Sequence, residues 1–166
     1  MLKKEEKIDT TEQTVTGFRK GTKKAKELDK KQFFKMLAAA EDGLTLSVEK
    51  VSKIFISKFD SDKVGCFIDY SFSKDSKKYE IGIYYNLGEP TILDYDSEGN
   101  PIYEANPTED MNIFKILAVA TDLSEVEDVY VTEEAIQNTL TGITFKAEIG
   151  TSFNGTFLIE PIQLVS

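Results

Sequence analysis

Two runs of strict alternation constrain this chain more than any other feature. Over residues 64–73, Val64, Cys66, Ile68, Tyr70 and Phe72 fall on one side and Gly65, Phe67, Asp69 and Ser71 on the other. Over residues 79–87, Tyr79, Ile81, Ile83, Tyr85 and Leu87 oppose Glu80, Gly82, Tyr84 and Asn86. A period of two is that of a strand with one face buried, and two such runs across a short polar break predict an antiparallel hairpin. A four-residue connection of residues 74–77 pairs Ser73 with Lys78 and, six residues back, Phe67 with Tyr84. Cys66 is then a core residue. Phe67 and Tyr84 form an aromatic pair on the outer face beside Gly82, the kind of flat surface on which unpaired bases stack. The other reading of that pair is that a helix or the N-terminal segment covers it.

The rest of the chain arranges itself around the hairpin. Residues 1–27 mix Lys, Glu and Thr with few apolar residues and read as a basic arm, leaving residues 28–166 as one globular domain. Asp29 is placed to cap a helix carrying Phe33, Phe34, Leu37, Ala38 and Ala40, with Gly43 as its stop. Leu44, Leu46 and Val48 alternate, then Val51, Ile54, Phe55 and Ile56 break the parity near Lys53, which predicts a bulge. Residues 91–104 have the turn chemistry of a hairpin with Glu98, Gly99 and Asn100 at its tip. That tip also places Asp94, Asp96 and Glu98 at the alternate positions of a calcium loop, but the twelfth position is Ala105 where a bidentate Glu is required. Thr108 is predicted to cap a helix over residues 112–121, and Thr132 a shorter one through Asn138. Strands are expected over residues 141–149 and 153–165, the latter with Phe153, Gly155, Phe157 and Ile159 in alternation.

Composition narrows the chemistry. Among 166 residues there is no histidine, and Cys66 is the single cysteine. Imidazole-dependent nucleophiles and an internal disulfide are therefore excluded, and with them a zinc site built on several thiolates. The chain also lacks a GxxxxGK[ST] loop and a GxGxxG turn after a strand. These absences argue against an enzyme, and neither a cofactor nor a metal is expected. With one arginine, Arg19, nearly all cationic contact must come from lysine point charges. The net charge of -9 is unevenly spread: residues 1–31 hold ten Lys or Arg against six acids, the remainder ten against 23. Arg19, Lys20, Lys23, Lys24 and Lys26 form a basic cluster near Phe18 that suits phosphate contact, though such tails also serve only to solubilise. The start has no apolar signal core and no apolar run is long enough to span a bilayer, so an intracellular, cytoplasmic protein is expected.

The segment Leu140-Thr-Gly-Ile-Thr-Phe-Lys-Ala-Glu-Ile149, followed by Phe153-Asn-Gly-Thr-Phe-Leu-Ile-Glu160, closes an order of three strands, excursion, helix and two strands. That order resembles small phage-encoded single-stranded DNA-binding proteins of the OB-fold type. The resemblance covers residues 45–166 and implies a mainly β, α+β domain: a five-stranded OB-like barrel with a helix between strands 3 and 4, preceded here by an N-terminal helix. It further implies aromatic and basic residues on the face of strands 2 and 3, where Phe67, Tyr84, Lys74, Lys77 and Lys78 match. The function expected is non-catalytic, sequence-tolerant binding of single-stranded DNA in phage replication or recombination, within a bacterial host. A replication or recombination protein is a possible further partner. The alternative is an acidic protein-interaction module, for instance an inhibitor that imitates nucleic acid at a basic host protein.

Overall fold

The computed structural model describes residues 25–124, 126 and 128–166. In chain order the elements are β1 (Lys26–Glu27), α1 (Lys30–Ala39), β2 (Leu44–Val51), β3 (Phe55–Ile56), β4 (Val64–Lys74) and β5 (Lys77–Gly88). After them come β6 (Pro90–Tyr95), β7 (Pro101–Ala105), α2 (Asn112–Ala120), β8 (Val131–Thr132), α3 (Glu133–Leu140), β9 (Thr144–Thr151) and β10 (Phe157–Leu164). The chain is thus α+β and mostly strand, with three helices among the described residues. None of them is long and apolar enough to cross a membrane.

The hairpin of β4 and β5 has the register that alternation predicts, with Ser73 opposite Lys78 and Phe67 opposite Tyr84. Its turn is tighter than expected, because Lys74 and Lys77 also pair. Asp75 and Ser76 alone make the bend, both at positive φ (52° and 68°), as a twisted two-residue hairpin turn requires. The main sheet runs β1-β5-β4-β2-β9-β10, with β3 beside the start of β4. β2 serves two partners, pairing through Leu44–Ser47 with β9 and through Ser47–Val51 with β4 across a register shift at Glu49. A second sheet, β6-β7-β8, stands apart from it.

The core lies on one face of the main sheet. Leu46, Val64, Cys66, Ile68, Tyr70, Leu87, Phe145, Ala147 and Ile159 are almost fully removed from solvent there, and the apolar stripes of the helices meet them: Phe33 and Leu37 of α1, Ile113 and Ile116 of α2, Ile136 and Leu140 of α3. Each such large side chain contributes roughly 1.5–3 kcal/mol. Among the described residues, a buried side-chain hydrogen bond in this layer joins the Tyr70 and Tyr85 hydroxyls, 2.6 Å apart.

The expected barrel is not closed. β5 and β10 do not pair. The free edge of β5 is taken instead by β1, parallel to it, with Lys26 opposite Tyr79 and Glu27 opposite Glu80. These two residues were expected in the arm. At the other margin α2 lies against β10: the Asn112 side-chain amide donates to the Ile159 carbonyl (2.8 Å) and Lys115 pairs with Glu160 (3.1 Å). A bulge between Pro161 and Gln163, and the missing N–H of Pro161, spoil the remaining edge as a strand template. Helices therefore fill the gap that strand pairing would have bridged.

Of the local expectations, two hold and two are corrected. Asp29 does cap α1, in a reciprocal box with Gln32, and Thr132 caps α3. Thr108, however, does not cap α2; its hydroxyl bonds Asp110, and the helix starts from Met111 without a side-chain cap. Phe153 and Gly155 belong to no strand, because residues 152–156 form a turn held by Ser152 and Thr156, which leaves Phe153 fully in solvent.

Candidate nucleic-acid interface

The outer face of the main sheet opposes the helices, and there the parity break near Lys53 determines what is displayed. β2 ends at Val51 and the ladder resumes only at Phe55, so residues 52–54 step out of register. Side chains replace the missing strand. Phe67 N–H donates to the Ser52 hydroxyl (2.8 Å), and its carbonyl accepts from Ser52 N–H (2.9 Å). From α3, the Glu133 carboxylate accepts from Ile54 N–H (3.0 Å), and the Gln137 amide donates to the Val51 carbonyl (3.2 Å). Buried backbone groups freed by a break in a ladder need such partners. The step turns Ile54 into the core and swings Phe55 outward.

Phe55 lands on the predicted pair. Its ring stacks on Phe67 at 5.7 Å between centroids, inclined by 21°, and lies 6.1 Å from Tyr84. Phe67 and Tyr84 are 5.6 Å apart, edge to face. Tyr84 lies directly over Gly65, where a Cβ would strike its phenol ring, so the glycine is what lets the ring fold down onto the sheet. Phe67 remains 44% exposed and Tyr84 and Phe55 half-buried. No described helix covers the pair. The N-terminal segment as a cover, residues 1–24, lies outside the described residues.

The charges around this platform are not those expected. Lys74 and Lys77 flank the hairpin turn and Lys78 follows them, with Lys74 seven residues along β4 from Phe67, roughly 23 Å at 3.3 Å per residue. Between the turn and the platform lie Ser71 opposite Glu80 and Asp69 opposite Gly82. A Cβ on Gly82 would come within 2.9 Å of the Asp69 carboxylate, so that acid leans across the sheet next to Tyr84. Glu49 joins them, accepting from the Ser71 hydroxyl at 2.5 Å. With Glu27, and with Lys50 among them, these acids line a hollow of about 330 Å³. The structure thus brings Phe67 and Tyr84 together, adds Phe55, and sets Lys74, Lys77 and Lys78 beyond an acidic band. Arg19, Lys20, Lys23 and Lys24 lie outside the described residues. On the Phe55 loop itself are Lys53, Lys58 and Lys63, the last paired with Glu89 (3.2 Å).

Beside the platform, Lys53, Phe55 and Ile56 face Asp96, Pro101 and Ile102 of the β6–β7 hairpin across a hollow of about 350 Å³. Asp96 is used up as a turn acceptor. Its carboxylate takes the N–H groups of Asn100 and Glu98, each at 2.9 Å, and the Asn100 amide above all holds its pKa below the ordinary carboxylate range. Among the described residues no three His, Cys, Asp or Glu side chains gather in a way that could hold a metal ion. No family model, curated protein or solved structure matches the chain.

Proposed function

We propose that this protein binds single-stranded DNA without catalysis and without strong sequence preference, in the setting of replication or recombination, through the Phe55–Phe67–Tyr84 platform. The carrying observation is three aromatic rings in mutual contact on a solvent-facing sheet surface, with the central ring 44% exposed. An apolar cluster with no fold to hold up costs solubility unless something flat comes to lie on it, and bases do so in a sequence-tolerant way. The strand order supports the reading. Taking β2, β4, β5, β9 and β10 as strands 1 to 5, their order across the sheet is 3-2-1-4-5, with the β6–β8 sheet, α2 and α3 between 3 and 4; we read this as an OB-like order whose strands 3 and 5 are left unpaired. In such folds the strand 2–3 face and the loop joining strands 1 and 2 receive oligonucleotides, and Phe55 comes from that loop. Lys53 and Lys58 on the same loop supply phosphate contact in place of Lys74, Lys77 and Lys78.

Labelled oligo-dT titrated into the full chain at low salt tests the proposal. Saturable binding is expected, with log K falling against log salt at a slope of roughly -1.5 for two neutralised phosphates on a single strand. No signal at tens of micromolar protein rejects it.

The acidic band supports a second reading, a surface that stands in for nucleic acid on a basic protein partner. One double variant separates the two. Asp69→Asn with Glu80→Gln removes repulsion next to the platform, so oligo-dT affinity rises if the platform binds DNA. If the band itself is recognised, the same variant loses capture of a basic partner and gains nothing on DNA. Both residues are exposed, so the fold is retained.

A further inference from the structure

At the end of the molecule away from the platform, α1 and the β9–β10 hairpin enclose an open hollow of about 660 Å³. Its floor is apolar: Phe34, Ile149 and Phe157, with the two phenyl rings 6.1 Å apart and Phe157 still 54% exposed. Its rim is Lys30, Lys31 and Lys35, and among the described residues no carboxylate lines it. Lys30 and Lys31 occupy the first turn of α1, which contains no acid. Cations at that end oppose the helix dipole, so the fold gains nothing from them there. The hollow is built for an apolar body that carries negative charge.

A surface of that chemistry stands at the opposite end of the same chain. In β6 both faces meet solvent: Leu93 is 52% and Tyr95 59% exposed, with Ile92 beside them. Asp94 lies between these apolar residues, and Asp96 and Glu98 follow at the tip, all exposed. Asp96 is fixed by the turn, and the Asn100 amide holds its pKa below the ordinary carboxylate range. The hairpin leaves β5 at Gly88, whereas α1 packs near the other end of the ladder, where Phe33 meets Phe72 (5.8 Å) and Phe72 stacks on Tyr79 (5.4 Å). From Tyr79 to Gly88 is nine residues of β5, roughly 30 Å. One chain cannot bring its own hairpin to its own hollow.

We propose that a second copy of the chain does so: the acidic, apolar β6–β7 hairpin of one molecule seats in the lysine-rimmed hollow of the next. The contact joins two different surfaces, so it repeats head to tail rather than closing as a symmetric pair. It involves one hairpin and one hollow, an area of the small, transient class, and is held partly by exposed charges, so it is concentration- and salt-dependent. This assembly does not depend on the DNA reading; where that reading holds, it lets neighbours add side by side along a strand.

Sedimentation velocity of the full chain without nucleic acid tests it. The wild type should form a concentration-dependent series extending past the dimer at low salt and disperse at high salt. A hollow variant, Lys30→Glu with Lys35→Glu, and a hairpin variant, Leu93→Ser with Tyr95→Ser, should each be monomeric alone. Mixed in equal amounts they should give a heterodimer and nothing larger, because one intact hairpin then meets one intact hollow. All four residues are exposed, and unchanged circular dichroism and thermal midpoint show that the variants are folded. The proposal is overturned by a wild type that stays monomeric, by a dimer indifferent to both variants, or by a mixture that stays monomeric. It is equally overturned if the hollow variant self-associates normally but loses oligo-dT, which would make the hollow a strand-binding surface.

Discussion

Replacing Phe67 by alanine is expected to weaken oligo-dT binding by about 1–3 kcal/mol, the worth of one stacked base, or roughly 5- to 150-fold in Kd. Phe67 is chosen over its neighbours because it is central, 5.7 Å from Phe55 and 5.6 Å from Tyr84. Its loss also separates the other two rings. The fold should tolerate the change, since the side chain points outward and the hydrogen bonds that tie this position to Ser52 come from the main chain of Phe67. Phe67→Leu tells stacking from simple apolar contact. Leucine keeps much of the buried area but has no flat ring, so it should bind as poorly as alanine if bases stack there. Wild-type affinity in Phe67→Ala, with the fold intact by circular dichroism, would place the strand elsewhere on the molecule.

The platform was partly legible in the sequence for a specific reason. Alternation over the whole of β4 and β5 fixes which residues share a face, and a short turn fixes register, so the Phe67–Tyr84 pair could be read directly. Phe55 could not be read this way. It sits in the apolar run Ile54, Phe55, Ile56, which has no parity of its own, and its direction is set by Glu133 and Gln137 some eighty residues away. The break near Lys53 was the only local trace. The lysines show the same limit of local reading: Lys74, Lys77 and Lys78 are close to Phe67 along the chain, but a strand is extended, so Lys74 stands seven residues, roughly 23 Å, away. Barrel closure failed on a non-local matter, the competition for the edges of β5 and β10. Local pattern identifies strands; it does not reveal that a two-residue segment, Lys26–Glu27, and the Asn112 side chain reach those edges first. Phe153 illustrates the weakest signal, since alternation through Asn154 and Gly155 is also what a turn looks like.

Alkali should unfold this protein cooperatively. Cys66, Tyr70 and Tyr85 meet in the core, and burial pushes all three away from their anionic forms: Cys66 to about 12, Tyr70 and Tyr85 well above the usual phenol value. For Tyr70 the nearby Tyr85 hydroxyl adds to the effect of burial. In the unfolded chain the thiol ionises near pH 9 and the phenols near pH 10. Below those values both states hold the same protons and the three groups contribute no pH dependence. Above them the unfolded state releases protons that the folded state retains, so stability falls as pH rises, by about 1.4 kcal/mol per pH unit for each group. With all three in play the slope reaches roughly 4 kcal/mol per unit above pH 10, enough to exhaust an ordinary stability of 5–15 kcal/mol within a few units. Phenolate absorbance from Tyr70 and Tyr85 should therefore appear together with loss of the far-ultraviolet signal, not before it. The Tyr70–Tyr85 hydroxyl bond gives the control. Tyr85→Phe leaves the Tyr70 hydroxyl buried without its partner and should cost about 1–3 kcal/mol at pH 7, whereas Tyr70→Phe with Tyr85→Phe removes both and should cost less. The double variant should also unfold at higher pH than the wild type relative to its own neutral stability, because only Cys66 is then left to titrate. If the wild type instead shows its whole tyrosine titration near pH 10 with the fold retained, the two phenols are not buried as described.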